Sequence, residues 1–249
     1  MSLSGMFWYV SWIGFLTAVA TGLGALPFIF LKRLSERWHG FMSAIAGGMM
    51  ISASVFSLAE KALDRGTVWQ VIVGMLSGAT FYSFTSRWLE RKEYSIGKLS
   101  VEDSRKAVLL IGVMFVHSMP EGVAVGVGYA TGEFRFGLLL ALAIAIHNIP
   151  EGIAVSLPLR TKGVSVLACF FYSILTSLPQ PLLAGPSFLL VSTMQPLLPI
   201  GLGFAGGAMI FIVISDLLPD SLERCSSVQS AWGVLLGLLL MLAITTGLK

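Results

Sequence analysis

Long apolar stretches alternate with short polar segments along the whole chain. A helix that spans a membrane needs about 20 consecutive, mostly apolar residues, and eight segments meet this requirement. The connections between them are too short to fold as a separate domain. The pattern therefore predicts an all-α membrane protein with a single transmembrane domain over residues 1–249. The eight predicted spans are 7–31, 41–59, 68–86, 107–130, 136–159, 164–190, 197–218 and 231–248.

The composition supports this interpretation. Of the 249 residues, 55% are hydrophobic and only 12% are charged, and the mean hydropathy is +0.85. Soluble domains carry roughly 25% charged residues. The first apolar segment is too long for a signal-peptide core and has no basic residue before Lys32, so we expect it to be retained. Cys169 and Cys225 are too few for a disulfide framework or a thiolate metal cage.

The distribution of basic residues predicts the orientation in the bilayer. Of the Lys and Arg residues, 12 fall in the connections after spans 1, 3, 5 and 7, and only 4 fall on the opposite side. Because basic residues are retained on the cytoplasmic side, both termini are predicted to face outward. The net charge of +3 lies in these connections, so we expect the lipid bilayer as a partner and no nucleic acid.

An internal repeat relates the two ends of the chain. The segment AGGMMISASVFSLAEKAL at 46–63 aligns without gaps with AGGAMIFIVISDLLPDSL at 205–222, at an offset of 159 residues. The same offset pairs Pro27 with Pro186. Spans 1–3 therefore resemble spans 6–8. Chance similarity between apolar helices is the alternative explanation.

The position of the repeats predicts an inverted arrangement. Span 6 lies an odd number of spans after span 1, so the two repeats cross the membrane in opposite directions. Spans 4 and 5 form an adjacent, antiparallel pair. Inverted repeats are common in secondary transporters, whose binding site lies near the membrane midplane at the repeat interface. The predicted 3+2+3 layout divides the chain into 1–90, 105–160 and 164–249.

Two nearly identical hexapeptides, HSMPEG and HNIPEG, begin 30 residues apart in spans 4 and 5. Each places a histidine four residues before a glutamate, and residues i and i+4 share one face of a helix. His117 therefore projects beside Glu121, and His147 projects beside Glu151. Each motif also contains a proline, which removes one backbone hydrogen bond from the helix.

Buried carboxylates in a membrane need a compensating charge, since each ionised acid near the bilayer centre costs several kcal/mol. Two neutral imidazoles, two carboxylates and one divalent cation sum to zero charge. They also offer four nitrogen and oxygen ligands of the kind that Zn²⁺ accepts. The repeated motif thus predicts a metal site between spans 4 and 5. The alternative is that each His and Glu pair only hydrogen-bonds to hold the two helices together.

The paired His-X-X-Pro-Glu-Gly motifs in an eight-span chain resemble those of the ZIP metal transporters, closest to the GufA-like and bacterial broad-range branch. The resemblance covers essentially the whole chain. It implies transport of Zn²⁺, and of Fe²⁺, Mn²⁺ or Cd²⁺ in some members, toward the cytosol. It also implies that His117, Glu121, His147 and Glu151 are the primary metal ligands.

Further site residues follow only from this resemblance. Met50 falls where some members supply a thioether ligand, although a methionine is also a common core residue. Ser118, Asn148 and Gln180 occupy positions that carry Asn, Asp or Glu in members with two metals. All three are neutral here, so we expect a second ion to be weakly bound or absent. Asp216 matches an acid near one end of span 7, either as a pathway acid or as an interfacial residue.

Two other polar features are expected to play no part in metal binding. His39 lies beside Arg37 and Trp38 at the start of span 2, and we expect it at the membrane interface. The connection at 87–107 contains no histidine, which predicts a solvated charged connector and not a metal-sensing loop.

Three functions are compatible with the sequence. The first is a metal transporter with alternating access, in which spans 1, 4, 5 and 6 move against spans 2, 3, 7 and 8. The second is an intramembrane metal-dependent hydrolase, which needs a separate general base that the motifs do not supply. The third is a metal-ion channel. Divalent metal is expected as substrate, with no organic cofactor. A homodimer is left open, as is the choice of membrane, which would be the inner membrane in a bacterium.

Overall fold

All regular structure in the described part of the chain is helical. The computed structural model describes residues 2–30, 35–90, 101–161 and 163–247. The α-helices of these ranges are α1 (Leu3–Leu23), α2 (Glu36–Ala53), α3 (Glu60–Arg65), α4 (Val68–Glu90), α5 (Val101–Ala130), α6 (Phe134–Thr161), α7 (Val166–Thr176), α8 (Pro179–Thr193), α9 (Leu198–Ile212), α10 (Leu218–Arg224) and α11 (Ser227–Gly247).

Six helical stretches of the described residues are long and apolar enough to cross a membrane. Two further helices, α4 and α5, coincide with the predicted spans 68–86 and 107–130. The all-α prediction is therefore confirmed, with six to eight candidate membrane-spanning helices. The central part of the connector predicted at 87–107 lies outside the described residues.

Large apolar side chains cover the outer surface of the helices. Trp8, Trp69 and Phe84 each expose more than 70% of their surface. Contiguous exposure of such side chains to water is rare in soluble monomers. This surface is suited to contact with lipid chains.

Four predicted spans are interrupted, which the sequence pattern did not reveal. In span 1, α1 ends at Leu23, and a short 3₁₀ helix follows at Leu26–Ile29. Span 6 breaks at 177–178 because Pro179 starts α8 and has no backbone N–H to donate to the preceding turn. Span 2 contains a π-helical segment at Ser54–Ala59, and span 7 contains one at Val213–Leu217. The two π-helical segments begin 159 residues apart, which is the offset of the sequence repeat. Such segments often occur at functional sites.

Glycines allow two helix pairs to pack with their backbones in contact. A Cβ atom at Gly78 of α4 would overlap the carbonyl oxygen of Phe204 in α9. At Gly237 of α11, a Cβ atom would overlap the carbonyl oxygen of Ile45 in α2. The two contacts are equivalent under the sequence repeat, because Gly237 lies 159 residues after Gly78 and Phe204 lies 159 residues after Ile45. Small residues serve this purpose in membrane helix packing.

The helices form two packing groups. In the first, α1 packs against α6, α7 and α8, and α5 packs against α8. In the second, α4 packs along α9, and α11 packs along α2. The groups meet where α5 contacts α9 and where α2 contacts α6. The two hexapeptides lie on α5 and α6, at this boundary.

An ion-pair cluster joins the groups at the α5–α6 connection. Glu133 lies 2.7 Å from the Nζ atom of Lys61 and also accepts a hydrogen bond from Arg65 of α3. Lys61 lies 5.5 Å from the ring centroid of Phe136. The hydrogen bonds from Lys61 and then Arg65 lower the pKa of Glu133. The cluster thereby ties the end of α3 to the hairpin that carries both hexapeptides.

Candidate metal centre

The two hexapeptides bring together, in the interior, four side chains of types that can bind a metal ion. The Nε2 atom of His117 lies 3.2 Å from Oε1 of Glu151, and Nε2 of His147 lies 3.3 Å from Oε1 of Glu121. Within each motif, the histidine Nε2 and glutamate Oε1 atoms are 4.0 Å apart. All four residues expose 2% of their surface or less. Each histidine therefore faces the glutamate of the other helix more closely than its own.

The hydrogen bonds of His147 determine which of its ring nitrogens can bind a cation. Its Nδ1 atom lies 3.1 Å from the carbonyl oxygen of Ala143, and a carbonyl can only accept a hydrogen bond. Nδ1 must therefore carry a hydrogen, which leaves the lone pair of the neutral ring on Nε2. That lone pair faces a carboxylate oxygen of Glu121, which also only accepts. A proton or a metal ion between them resolves this contact.

The donor set fits a divalent transition metal bound as substrate. Zinc bonds to imidazole nitrogen and carboxylate oxygen at roughly 2.0–2.2 Å, so neighbouring ligands of a tetrahedral site lie about 3.4 Å apart. The four His–Glu distances of 3.2–4.0 Å are close to this value. The ligand atoms of His117, Glu121 and Glu151 all lie within 4.8 Å of one another. The second oxygen of Glu151, Oε2, is buried without a hydrogen-bond partner, and a metal ion would satisfy it.

Gln180 holds Glu121 in position from α8. Its side-chain amide donates to Oε2 of Glu121. Asn148 fixes the orientation of this amide, since its Nδ2 atom donates to Oε1 of Gln180 at 3.2 Å and to the carbonyl oxygen of Thr17 at 2.9 Å. Both side chains are fully buried. The predicted positions of Asn148 and Gln180 thus lie beside the centre, and they add hydrogen bonds to it but no negative charge.

The glycine that ends each hexapeptide permits close packing of the site helices. A Cβ atom at Gly122 would lie 2.8 Å from the carbonyl oxygen of Gln180. A Cβ atom at Gly152 would overlap the carbonyl oxygen of Thr21. Any larger residue would push α5 away from α8, or α6 away from α1. The same motif therefore supplies ligands on one helix face and close contact on another.

Two other predicted site residues, Met50 and Ser118, are buried in the protein interior. Met50 has no exposed surface and belongs to the main apolar cluster of the protein, with Ala46 and Met209. Ser118 is 1% exposed and follows His117 on α5. The structure places neither side chain among the ligand atoms described above, and their roles in metal binding stay predictions.

A crevice of about 170 Å³ leads away from the centre. His117 and Glu151 line its inner end, and Asp220 and Arg224 line its other end. Asp216 lines the same crevice from the π-helical segment of span 7 and accepts a hydrogen bond from the hydroxyl of Tyr82. Asp216 therefore lies in the crevice beside the group of four and is not part of it.

The expectation that His39 lies at the membrane interface stays a prediction, but its side chain is packed inside the protein. His39 is 4% exposed and lines the crevice, because the first turn of α2 packs against α10. Sequence reasoning missed this residue and its neighbour Asp220. One signal was available: the chain contains only three histidines, and the other two belong to the repeated motif.

Known proteins resemble this chain over more than half of its length. The family model described as ZIP zinc transporter matches residues 90–245. A putative zinc transporter of Arabidopsis thaliana is 43% identical over 62% of this chain and 25% of its own length. Zinc transporter ZIP11 of Homo sapiens is 40% identical over 58% of this chain and 44% of its own length. Zinc transporter GufA of Myxococcus xanthus is 39% identical over 55% of this chain and 56% of its own length.

The matched region contains both hexapeptides and Gln180, and the chain spans about a quarter to just over half the length of these relatives. The names of these relatives are those of transporters and not of enzymes. Together with the apolar helices, these similarities show that the chain is an integral, multi-pass membrane protein, and that it belongs to the ZIP zinc transporter family.

Proposed function

We propose that the protein moves divalent transition-metal ions, with Zn²⁺ as the first candidate, across a membrane toward the cytosol. The observation that carries the proposal is the group of two imidazoles and two carboxylates, each at most 2% exposed, between α5 and α6. One divalent ion neutralises the two carboxylates. Imidazole and carboxylate together favour metals such as Zn²⁺, and the absence of thiolates from this group disfavours Cu⁺.

We infer that His117, Glu121, His147 and Glu151 bind the transported ion. Gln180 and Asn148 act by holding Glu121 in place through hydrogen bonds. Outer hydrogen-bond partners of this kind typically change metal affinity by about 10–100-fold when removed. With no further negative charge from these amides, the centre holds one ion at a time.

The proposed layout is eight spans in a 3+2+3 inverted repeat with both termini outside. The paired π-helical segments and the equivalent glycine contacts, all related by the offset of 159, support the repeat. Under this orientation, the start of α2 and the end of α10 face the cytosol. The crevice then runs from the metal centre to the cytosolic side, which corresponds to a state poised for release.

We infer an alternating movement of the two packing groups against each other. The group of α1 and α5–α8 carries all four ligands, and the group of α2, α4, α9 and α11 forms the surface against which it moves. The Glu133 cluster joins the two groups on the side opposite the crevice. Exposure of the centre to the outside requires this cluster to separate.

Zinc uptake into proteoliposomes tests the proposal. We expect Glu121→Ala and Glu151→Ala to abolish uptake, whereas Glu223→Ala, which removes an exposed acid, leaves it unchanged. Competition with Fe²⁺ and Mn²⁺ ranks the substrates, and saturation with concentration distinguishes a carrier from a channel. Normal uptake by either centre variant would refute the proposed site. A metal-dependent hydrolase is not favoured, because the relatives bear the names of transporters.

A further inference from the structure

We propose a second divalent-cation site at the outer end of the crevice, formed by His39 and Asp220. It rests on the proposed function, because an ion that leaves the metal centre through the crevice passes these two residues. The site would take the same class of borderline transition-metal ion, since it offers one imidazole nitrogen and carboxylate oxygens. Water would complete the coordination.

His39 is a buried imidazole without hydrogen-bond partners that explain its position. It exposes 4% of its surface, and its Nδ1 atom has no partner among the described residues. Its Nε2 atom lies 3.9 Å from Oδ2 of Asp220, which is too far for a hydrogen bond. Since the described residues give Nε2 no hydrogen bond, its lone pair is available to a cation shared with Asp220, and Nδ1 would then carry the ring hydrogen. All three histidines of the chain then lie along one route, with His117 at the inner end of the crevice and His147 beside it.

Hydrogen bonds fix the carboxylate of Asp220 in the crevice, where it can bind a cation. Its Oδ2 atom accepts a hydrogen bond from the hydroxyl of Ser43 at 2.8 Å, and its Oδ1 atom accepts one from Nε of Arg224 at 2.7 Å. Its side chain is 29% exposed, so hydrated ions reach it. The separation of 3.9 Å from His39 exceeds the ideal ligand spacing of about 3.4 Å by a distance that a small side-chain rotation closes.

Arg224 supplies the positive charge beside Asp220 when no metal ion is bound there. Its guanidinium neutralises Asp220 and also donates to Glu36, an exposed acid at the start of α2. Arg224 can therefore release Asp220 while it keeps Glu36 as a partner. A metal ion that arrives from the centre replaces Arg224 on Asp220, and the return of Arg224 expels the ion to the cytosolic side. Asp216 lies one helical turn before Asp220 and lines the crevice between the two sites.

The metal content of the purified protein tests this site without a transport assay. The full chain in detergent is dialysed against buffered Zn²⁺, and bound zinc is counted by mass spectrometry. We expect two ions for the wild type and one for the double variant Glu121→Ala, Glu151→Ala. The addition of His39→Gln to the double variant should remove the remaining ion. Two ions in His39→Gln alone, or a remaining ion in the triple variant, would overturn the second site.

Arg224→Gln supplies a test in the opposite direction. Removal of the competing cation should tighten binding of the second ion by about tenfold or more, since a guanidinium beside the carboxylate repels a divalent ion. A merely structural role of Arg224 predicts unchanged or weaker binding, and that result would overturn the proposal. If His39→Gln fails to yield folded protein, zinc binding by Arg224→Gln still tests the second site. A wrong assignment of the first metal centre gives a different result, because the Glu121→Ala, Glu151→Ala double variant would then still bind two ions.

Discussion

The substitution Glu121→Gln should stabilise the metal-free protein while it abolishes the stabilisation by zinc bound between α5 and α6. The structure explains both effects. The amide oxygen of the new side chain can accept from Gln180, as Oε2 of Glu121 does. Its amide nitrogen can donate to Nε2 of His147, which now faces a carboxylate oxygen at 3.3 Å. The variant therefore keeps every hydrogen bond of Glu121 and removes one buried charge.

The size of the effect follows from the geometry. The ligand oxygens of Glu121 and Glu151 lie within 4.8 Å of each other, and two unit charges at that distance repel by about 3.5 kcal/mol at an effective dielectric constant near 20. Protons on the histidines offset part of this repulsion, and a histidine left facing a neutral amide can lose its proton, so we expect a smaller net gain of about 2 kcal/mol. A gain of about 2 kcal/mol corresponds to a rise in Tm of about 6 °C for a chain of this length.

Thermal unfolding followed by the fluorescence of the six tryptophans measures both effects. In the presence of a chelator, Glu121→Gln should unfold at a higher temperature than the wild type. In a His39→Gln background, which removes the proposed second site, zinc at a hundred times its Kd should stabilise the parent protein by about 2.7 kcal/mol and leave the Glu121→Gln variant unchanged. Glu223→Gln is the matched control and should behave as the wild type. A Glu121→Gln variant that is less stable without metal, and that still gains stability from zinc in the His39→Gln background, would refute this reasoning.

Four further outcomes are expected. Gln180→Ala should weaken zinc binding by about 10–100-fold in equilibrium dialysis, because Glu121 loses its amide donor; unchanged affinity would exclude a positioning role. Gly152→Ala should prevent recovery of folded protein from membranes, since its Cβ atom would overlap the backbone of α1. Met50→Leu should change stability by less than about 1.5 kcal/mol, so a large loss of zinc affinity in the same variant would identify the thioether as a ligand. Glu133→Gln should lower the unfolding free energy at pH 7 by no more than about 1 kcal/mol, since the Glu133 side chain is 45% exposed to solvent. The lowered pKa of Glu133 places this contribution above about pH 4.5, so variant and wild type should converge as the pH falls below that value.

The fold could be predicted well where local sequence determines it. Among the described residues, most of each predicted span coincides with helix, because an unbroken run of apolar residues in a bilayer must satisfy its backbone internally. The interruptions were not predicted. The break in span 6 before Pro179 was not predicted, because residues 164–190 were treated as one continuous helix. The π-helical segments at Ser54–Ala59 and Val213–Leu217 contain no residue type that by itself requires a π-helix. They depend on packing between spans that are distant in sequence.

The contacts of the candidate centre were also predictable only where they depend on local sequence. The spacing of His117 and Glu121 on one helix, repeated in the next, was sufficient to predict which side chains meet. The contact of Gln180 with Glu121 joins residues 59 positions apart, and only the family resemblance suggested it. The pairing of His39 with Asp220 spans even more of the chain and depends on how α2 packs against α10. Neither composition nor periodicity carries that information.

A crystal of the zinc-loaded protein, measured at the zinc absorption edge, would locate the ion itself. We expect the strongest anomalous peak between α5 and α6, at roughly 2.0–2.2 Å from Nε2 of His117, Nε2 of His147 and an oxygen of each of Glu121 and Glu151. Zinc bound at full occupancy elsewhere, with these four side chains free of metal, would contradict the proposed centre.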